Sequence, residues 1–307
     1  MSPTYSDAAL RVLFVKESMR LTAAQFWKGF PDARTLSEKT EGYQTELNTL
    51  AKKFPAVGAD GMACAFDESF PALNSFVPEG ERPFLLFYRG DLSLLEDLNR
   101  NVAVIGAIDP DANVVEREKN IVSRLVSKGL VIVSGLANGC DAEAHRACLA
   151  TGGKTIAILP SQMNKIYPAK NRGLAEEIVE NGGLLLTEYA GEPAGRNAAL
   201  KRFIDRDRLQ AMFSKAVLMI ASHRRGEGDS GSRHAMEAAK KYRIGRYVMF
   251  DPKQDAGKSL FGLNQDLLRL EPDVKTLCRN SIEALASSRD AKLHPEITGE
   301  QIRLDMQ

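Results

Sequence analysis

The chain has 307 residues, 44% apolar and 26% charged, with a formal net charge of +1. That is the composition of a soluble globular protein with room for one large domain and a smaller one. A balance this neutral excludes any argument for nucleic acid from overall charge, so an electrostatic footprint has to be local.

Cys64, Cys140, Cys148 and Cys278 are widely spaced with no C-x-x-C pair. This argues against a zinc site or a disulfide framework and fits a reducing, cytoplasmic setting. The short apolar run near the N-terminus is broken by Lys16 and Glu17 and lacks a small-residue cleavage pattern, so no signal peptide is expected. No apolar run approaches the roughly 20 residues that cross a bilayer, and no membrane partner is expected.

Residues 7–54 carry Ala9, Leu13, the stem of Lys16 and Met19 at helical spacing, which predicts a small helical unit. Residues 55–83 hold four prolines and read as an irregular connector with short extended pieces. From Pro83 the texture changes. PFLLFYRG, NVAVIGA, LVIVSG, KTIAILP, GLLLTEY, AVLMIAS and RYVMF are short strand-like runs, and helix-like stretches at 114–128, 141–151, 171–181 and 232–242 separate several of them. The alternation predicts an α/β fold with a mainly parallel sheet covered on both faces. Residues 271–307 are more polar and read as a tail or appendage. The expected organisation is a helical unit at 1–63, the α/β domain at 64–270 and the tail at 271–307.

Ligands of such sheets bind at the C-terminal strand ends, and four loops there stand out. In IGAIDPD (105–111) only Gly106 meets the dinucleotide fingerprint, so no NAD or FAD is expected. In SGLANGCDAEAH (134–145), Ser134, Gly135 and Gly139 suit a backbone cradle for phosphate at a helix start. Asp141 is placed to act as the N-cap. Asp141 and His145 have the i, i+4 spacing of a metal pair, but no third ligand accompanies them, and His145 is expected to be packed.

ALKRFIDRDRLQAMFS (199–214) interleaves Lys201, Arg202, Arg206 and Arg208 with Phe203. Cations that follow phosphates around a ring that takes a base suit single-stranded nucleic acid. A solvated helix face with Phe203 in the core explains the same pattern, and the segment alone favours it. In SHRRGEGDSGSRHAMEAAKK (222–241), Ser230, Gly231 and Ser232 precede a helix that offers a further anion-binding terminus. Residues 223–246 carry seven Lys/Arg against three acids. No G-x-S-x-G, Walker A, H-E-x-x-H or PGG-x-GT-x-x-E occurs, and Glu188 in LLLTEY is a lone acid at a strand end. Binding rather than catalysis is expected, with no metal and no cofactor.

Six ordered segments resemble the DNA-processing protein A (Smf) family: FDESFPAL…RPFLLFYRGDLSLL, VSGLANGCDAEAH, GGKTIAILPSQMNKIYPAKNRGLAEEI, LLLTEY, RFIDRDRLQAMFSKAVLMI and DSGSRHAMEAAKKYRIGRYVM. The resemblance spans roughly residues 64–270. It implies an extended Rossmann-like domain that binds single-stranded DNA, dimerises, and hands the strand to a RecA-type recombinase in natural transformation, without enzymatic activity. By position it assigns Ser134, Gly135, Lys154, Phe203, Arg206, Arg208, Ser230 and Gly231 to the family's DNA-binding motifs, with Phe203 as the base-stacking ring.

The chain departs from that pattern at several places. Gly106-Ala107-Ile108 stands for the family's G-S-R, Asp207 for the Asn of R-N-R, Pro160 for a common glycine, and Asp251-Pro252 for a terminal Pro-Gly. No winged-helix pattern follows. Weaker single-strand binding is expected. The alternative is that the same loops serve one small phosphate ligand, in a nucleotide-binding sensor or a nucleotide N-glycosidase.

Overall fold

The structure, a computed structural model, describes residues 4–228 and 231–287. Four helices come first: α1 (Asp7–Met19), α2 (Ala23–Gly29), α3 (Ala33–Thr40) and α4 (Gln44–Lys53). Local chemistry sets their ends. The Ser6 hydroxyl accepts from the Ala9 amide at 2.9 Å, and Thr22 and Gln25 form a capping box. The unit is held by aromatic packing, with Phe26 stacked on Phe84 at 4.1 Å between centroids.

Strands β1 (Gly61–Cys64) and β2 (Leu85–Gly90) follow and pair antiparallel. The alternating part then runs β3 (Asn101–Ile105), α5 (Ala112–Ser127), β4 (Val131–Ser134), α6 (Cys140–Ala150), β5 (Thr155–Ile158), α7 (Arg172–Glu180) and β6 (Leu184–Thr187). It continues with α8 (Arg196–Met212), β7 (Ala216–Met219), α9 (Ser232–Lys241), β8 (Gly245–Val248), α10 (Pro252–Asp255), α11 (Gly262–Leu270), β9 (Val274–Thr276) and α12 (Arg279–Ser287).

The sheet has the order β1-β2-β6-β5-β4-β3-β7-β8-β9 and is parallel from β6 to β9. The chain moves outward from β3 through β6 on one side, then returns to pair β7 on the other side of β3. The switch point of this Rossmann-like sheet therefore lies between β3 and β7, where the crevice for ligands forms.

Both faces are covered, as the apolar strands require. On β3, Val102 and Val104 point toward Val114, Val122 and Leu125 of α5, while Ala103 and Ile105 pack with Leu209 and Met212 of α8 and Met236 of α9. The helical unit shares one core with β1, β2, β5 and α7.

Two boundaries drawn from sequence fall differently against the elements. The line at 63/64 cuts β1, whose four residues are too short to display an alternation. The polar tail supplies the edge strand β9, pinned where Arg246 meets Glu271 and Asp273, and α12, whose Ile282 and Leu285 are buried.

Candidate nucleic-acid interface

The loops leaving β3, β4 and β7 meet at the switch point. Gly106 accepts a hydrogen bond from the Ser232 hydroxyl at 3.2 Å, which joins the first loop to the start of α9. The Cys140 amide donates to the Ala107 carbonyl at 2.9 Å and joins it to α6. Gly139 has φ +73, and a Cβ there would lie 2.3 Å from the Ala107 carbonyl oxygen, so only glycine permits this approach. Gly231 starts α9 as its N-cap residue with φ +86. Ser230 lies outside the described residues.

Ser134 is in the floor rather than on the surface, since its buried hydroxyl donates to the Val104 carbonyl at 2.6 Å. Asp141 is not the N-cap of α6. Gly139 holds that position, and Asp141 sits within the first turn, accepting from the Ala137 amide at 3.3 Å. Its carboxylate is turned instead toward a cation on α8.

That cation is Arg206. Its guanidinium lies 3.3 Å from Asp141 and 3.0 Å from Asp207, and the residue is only 6% exposed. One buried cation thus faces two buried acids. Burial raises the Asp141 pKa, against the pull of Arg206. Burial raises Asp207 further, to about 7, with Arg206 opposing and Asp141 adding to the rise. Asp207 is buried under the loops, accepting from the Gln210 amide at 3.1 Å, rather than lying on a phosphate path.

His145 is packed beneath the same cluster. The Thr155 hydroxyl donates to the Ile132 carbonyl at 2.8 Å, which leaves its oxygen to accept from His145 Nδ1 at 2.7 Å. That fixes the Nδ1-protonated tautomer. Burial, with Arg206 and Arg146 adding, draws its pKa down to about 3, so the ring is neutral near pH 7.

Arg208 is equally committed. It grips Glu188 with both nitrogens at 2.8 Å. Burial pushes the Glu188 carboxyl up, but Arg208 outweighs it and holds the group below the ordinary carboxylate range. Glu188 is therefore a locked counterion and not a proton donor near neutrality. Lys154 lies at the other end of the sheet, just before β5, with its ammonium on the Asn181 carbonyl at 2.5 Å. The structure does not bring it together with the loops.

The accessible surface lies beside the cluster, in a groove of about 460 Å³ between the segment 160–172 and α8. Tyr167, 55% exposed, meets half-buried Phe203 edge-on, with centroids 5.5 Å apart at 75°. Pro160, Ile166 and Pro193 extend the apolar floor. Lys165 is neutralised by Glu192 at 2.6 Å. Arg172 makes no ion pair among the described residues, and Arg202 donates to the Gly191 carbonyl at 2.8 Å while stacked 4.1 Å over Tyr189, so among the described residues no acid neutralises either.

Lys201 points to the other side of α8 and pairs with Asp205. Ile108, at the position of the family's first-loop arginine, is an exposed apolar residue on the rim. Asn171 fastens groove to cradle by donating to the Leu136 carbonyl at 2.9 Å. Sequence reasoning missed Tyr167 and Arg172, although Tyr-Pro and Asn171 stand in the quoted KIYPAKNRG.

A profile of the DNA recombination-mediator protein A family matches residues 61–269. Protein Smf of Synechocystis sp. is 37% identical over 156 residues, 50% of this chain and 38% of that protein. The DNA processing protein DprA of Streptococcus pneumoniae is 34% identical over 157 residues, 51% of this chain and 53% of that one. These matches span about half or less of the relatives' length. The X-ray structure of DNA processing protein A from Streptococcus pneumoniae superposes with a TM-score of 0.64 at 26% identity, covering 90% of this chain and 91% of that one. DNA processing protein A from Helicobacter pylori, whose structure is described by its unique single-stranded DNA binding mode, gives 0.60 at 26% identity, covering 73% and 95%.

Proposed function

The chain belongs to the DNA recombination-mediator protein A family, and on that premise we propose that it binds single-stranded DNA in the groove between 160–172 and α8. The observation that carries this reading is the exposed Tyr167 set edge-on against Phe203 in a groove that Arg172 and Arg202 also line. Aromatic rings offer stacking surface that any base can use, and the flanking guanidiniums meet the phosphates. The cradle of Gly106, Gly135, Gly139, Gly231 and Ser232 takes the neighbouring backbone phosphate. Arg206 and Arg208 act from beneath, as buried supports for the loops and for α8, and Lys154 has no part.

The relative from Helicobacter pylori, named for its single-strand binding mode, supports this choice of ligand. The fuller form of the reading is a cytoplasmic homodimer that hands the strand to a RecA-type recombinase, and its support is the family resemblance.

Fluorescence anisotropy with labelled oligo(dT) is the test. We expect binding at low salt that falls steeply as salt rises, because each neutralised phosphate releases counterions. Absence of binding at low salt contradicts the proposal.

A further inference from the structure

A second cavity, of about 640 Å³, lies on the opposite side of α8 from the aromatic groove. Lys201, Ile204, Asp205 and Arg208 line it, whereas Ala199, Arg202 and Phe203 line the groove. Its volume lies within the range of small-molecule sites. The end of α1 closes it from the helical unit, bringing Lys16 and Arg20 one turn apart to the same wall.

The charges in this wall do not balance. Three acids pair with cations of the same wall, Glu188 with Arg208, Glu81 with Lys241 and Asp205 with Lys201, while Glu237 pairs with Arg233, which is not part of the lining. Lys16 and Arg20 are left over, with no ion pair among the described residues. The Lys16 ammonium rests 4.9 Å over the Phe84 ring with no hydrogen-bond acceptor among the described residues, and burial lowers its pKa against the pull of Glu188. An ammonium with three donors and no acceptor, next to a second surplus cation, calls for a multidentate anion.

We propose that this cavity binds a phosphomonoester dianion, the terminal phosphate of a nucleotide or of a DNA strand, with Lys16 and Arg20 as its charged contacts. Lys16 and Arg20, the two cations of the wall without an acid of their own, face the dianion, and its three terminal oxygens accept from ammonium and guanidinium together. The remaining volume accommodates the attached sugar. A strand lying in the groove would reach it across one helix, about 10–12 Å. The cavity stands on its own geometry and does not require the groove to bind DNA.

Thermal melts with thymidine 5′-monophosphate and with thymidine test the site, alongside anisotropy with 5′-phosphorylated and 5′-hydroxyl oligo(dT). We expect the monophosphate to raise the melting midpoint and thymidine to leave it unchanged. Lys16→Gln should weaken monophosphate binding about tenfold, the loss of one charge-assisted hydrogen bond. Because Lys16 packs over Phe84, Arg20→Gln at an exposed position supplies a second variant with the same expected loss. A response to the monophosphate alone identifies a free nucleotide as the source, and tighter binding of the phosphorylated strand identifies a strand end. Equal responses to both members of each pair, or full retention of the response in both variants, would overturn the proposal. Binding of the 5′-hydroxyl strand reports the groove separately and should be unchanged in Lys16→Gln.

Discussion

Gly135 and Arg206 share one space: a Cβ built on Gly135 would lie 1.0 Å from Arg206 Nη1 and 2.7 Å from Asp141 Oδ2. The glycine that the sequence marks as part of a phosphate loop is thus also the seat of a buried guanidinium from α8. Loop and helix are fixed to each other through this contact, and the cradle's shape depends on it.

Gly135→Ala should therefore displace the guanidinium from both of its acids. Overpacking of this kind costs about 1–3 kcal/mol, read from the urea midpoint at constant m-value. Combined with Arg206→Ala, the glycine substitution should cost much less, because the methyl group then enters vacated space. Strict additivity in that double-mutant cycle would show that the two residues do not compete.

Arg206→Ala by itself leaves Asp141 and Asp207 buried without their cation. Removing one partner of a buried ion pair costs about 3–5 kcal/mol, and urea denaturation should show a loss of that order. An unchanged midpoint would show that Arg206 is not the support described, and that it is free to contact DNA.

Asp207 gives a pH signature. Its folded-state pKa of about 7 lies above the ordinary 3.8, so between these values the folded state holds a proton that the unfolded chain has released. Stability then falls as pH rises from about 4 to about 7, and levels off above. Asp207→Asn, which keeps the shape and carries no charge, should flatten that decline relative to the parent chain. Parallel stability curves for the two proteins over this range would place the titration elsewhere.

The parallel sheet, its flanking helices and the loops at its strand ends were legible because hydrophobic periodicity and glycine placement are local signals. The fate of the charges on α8 was not. Arg206 is paired with Asp141, 65 residues earlier, and no local pattern distinguishes a cation bound for a buried acid from one bound for a phosphate. Lys154 shows the same limit, since its motif match did not reveal that it precedes β5 and so lies at the far end of the sheet. Phe203 stands out in the sequence as the aromatic of the basic segment, but its neighbour Tyr167 comes from another loop, and only the fold makes them one surface.

Phe203→Ala and Tyr167→Ala should each weaken oligo(dT) binding by about 1–3 kcal/mol, the stacking contribution of one base. Both are on the groove surface, so urea midpoints should move far less than for Arg206→Ala. A mutant pair that loses stability and keeps full affinity would make these rings core residues with no role in the strand site.

The most direct measurement is photo-crosslinking with an oligonucleotide carrying 5-iodouracil, followed by peptide mapping of the attached residues. A strand in the groove should attach to Tyr167 and Phe203, with adducts lost at high salt as binding is lost. Adducts confined to the other end of the sheet, around Lys154, would contradict the groove as the strand-binding site.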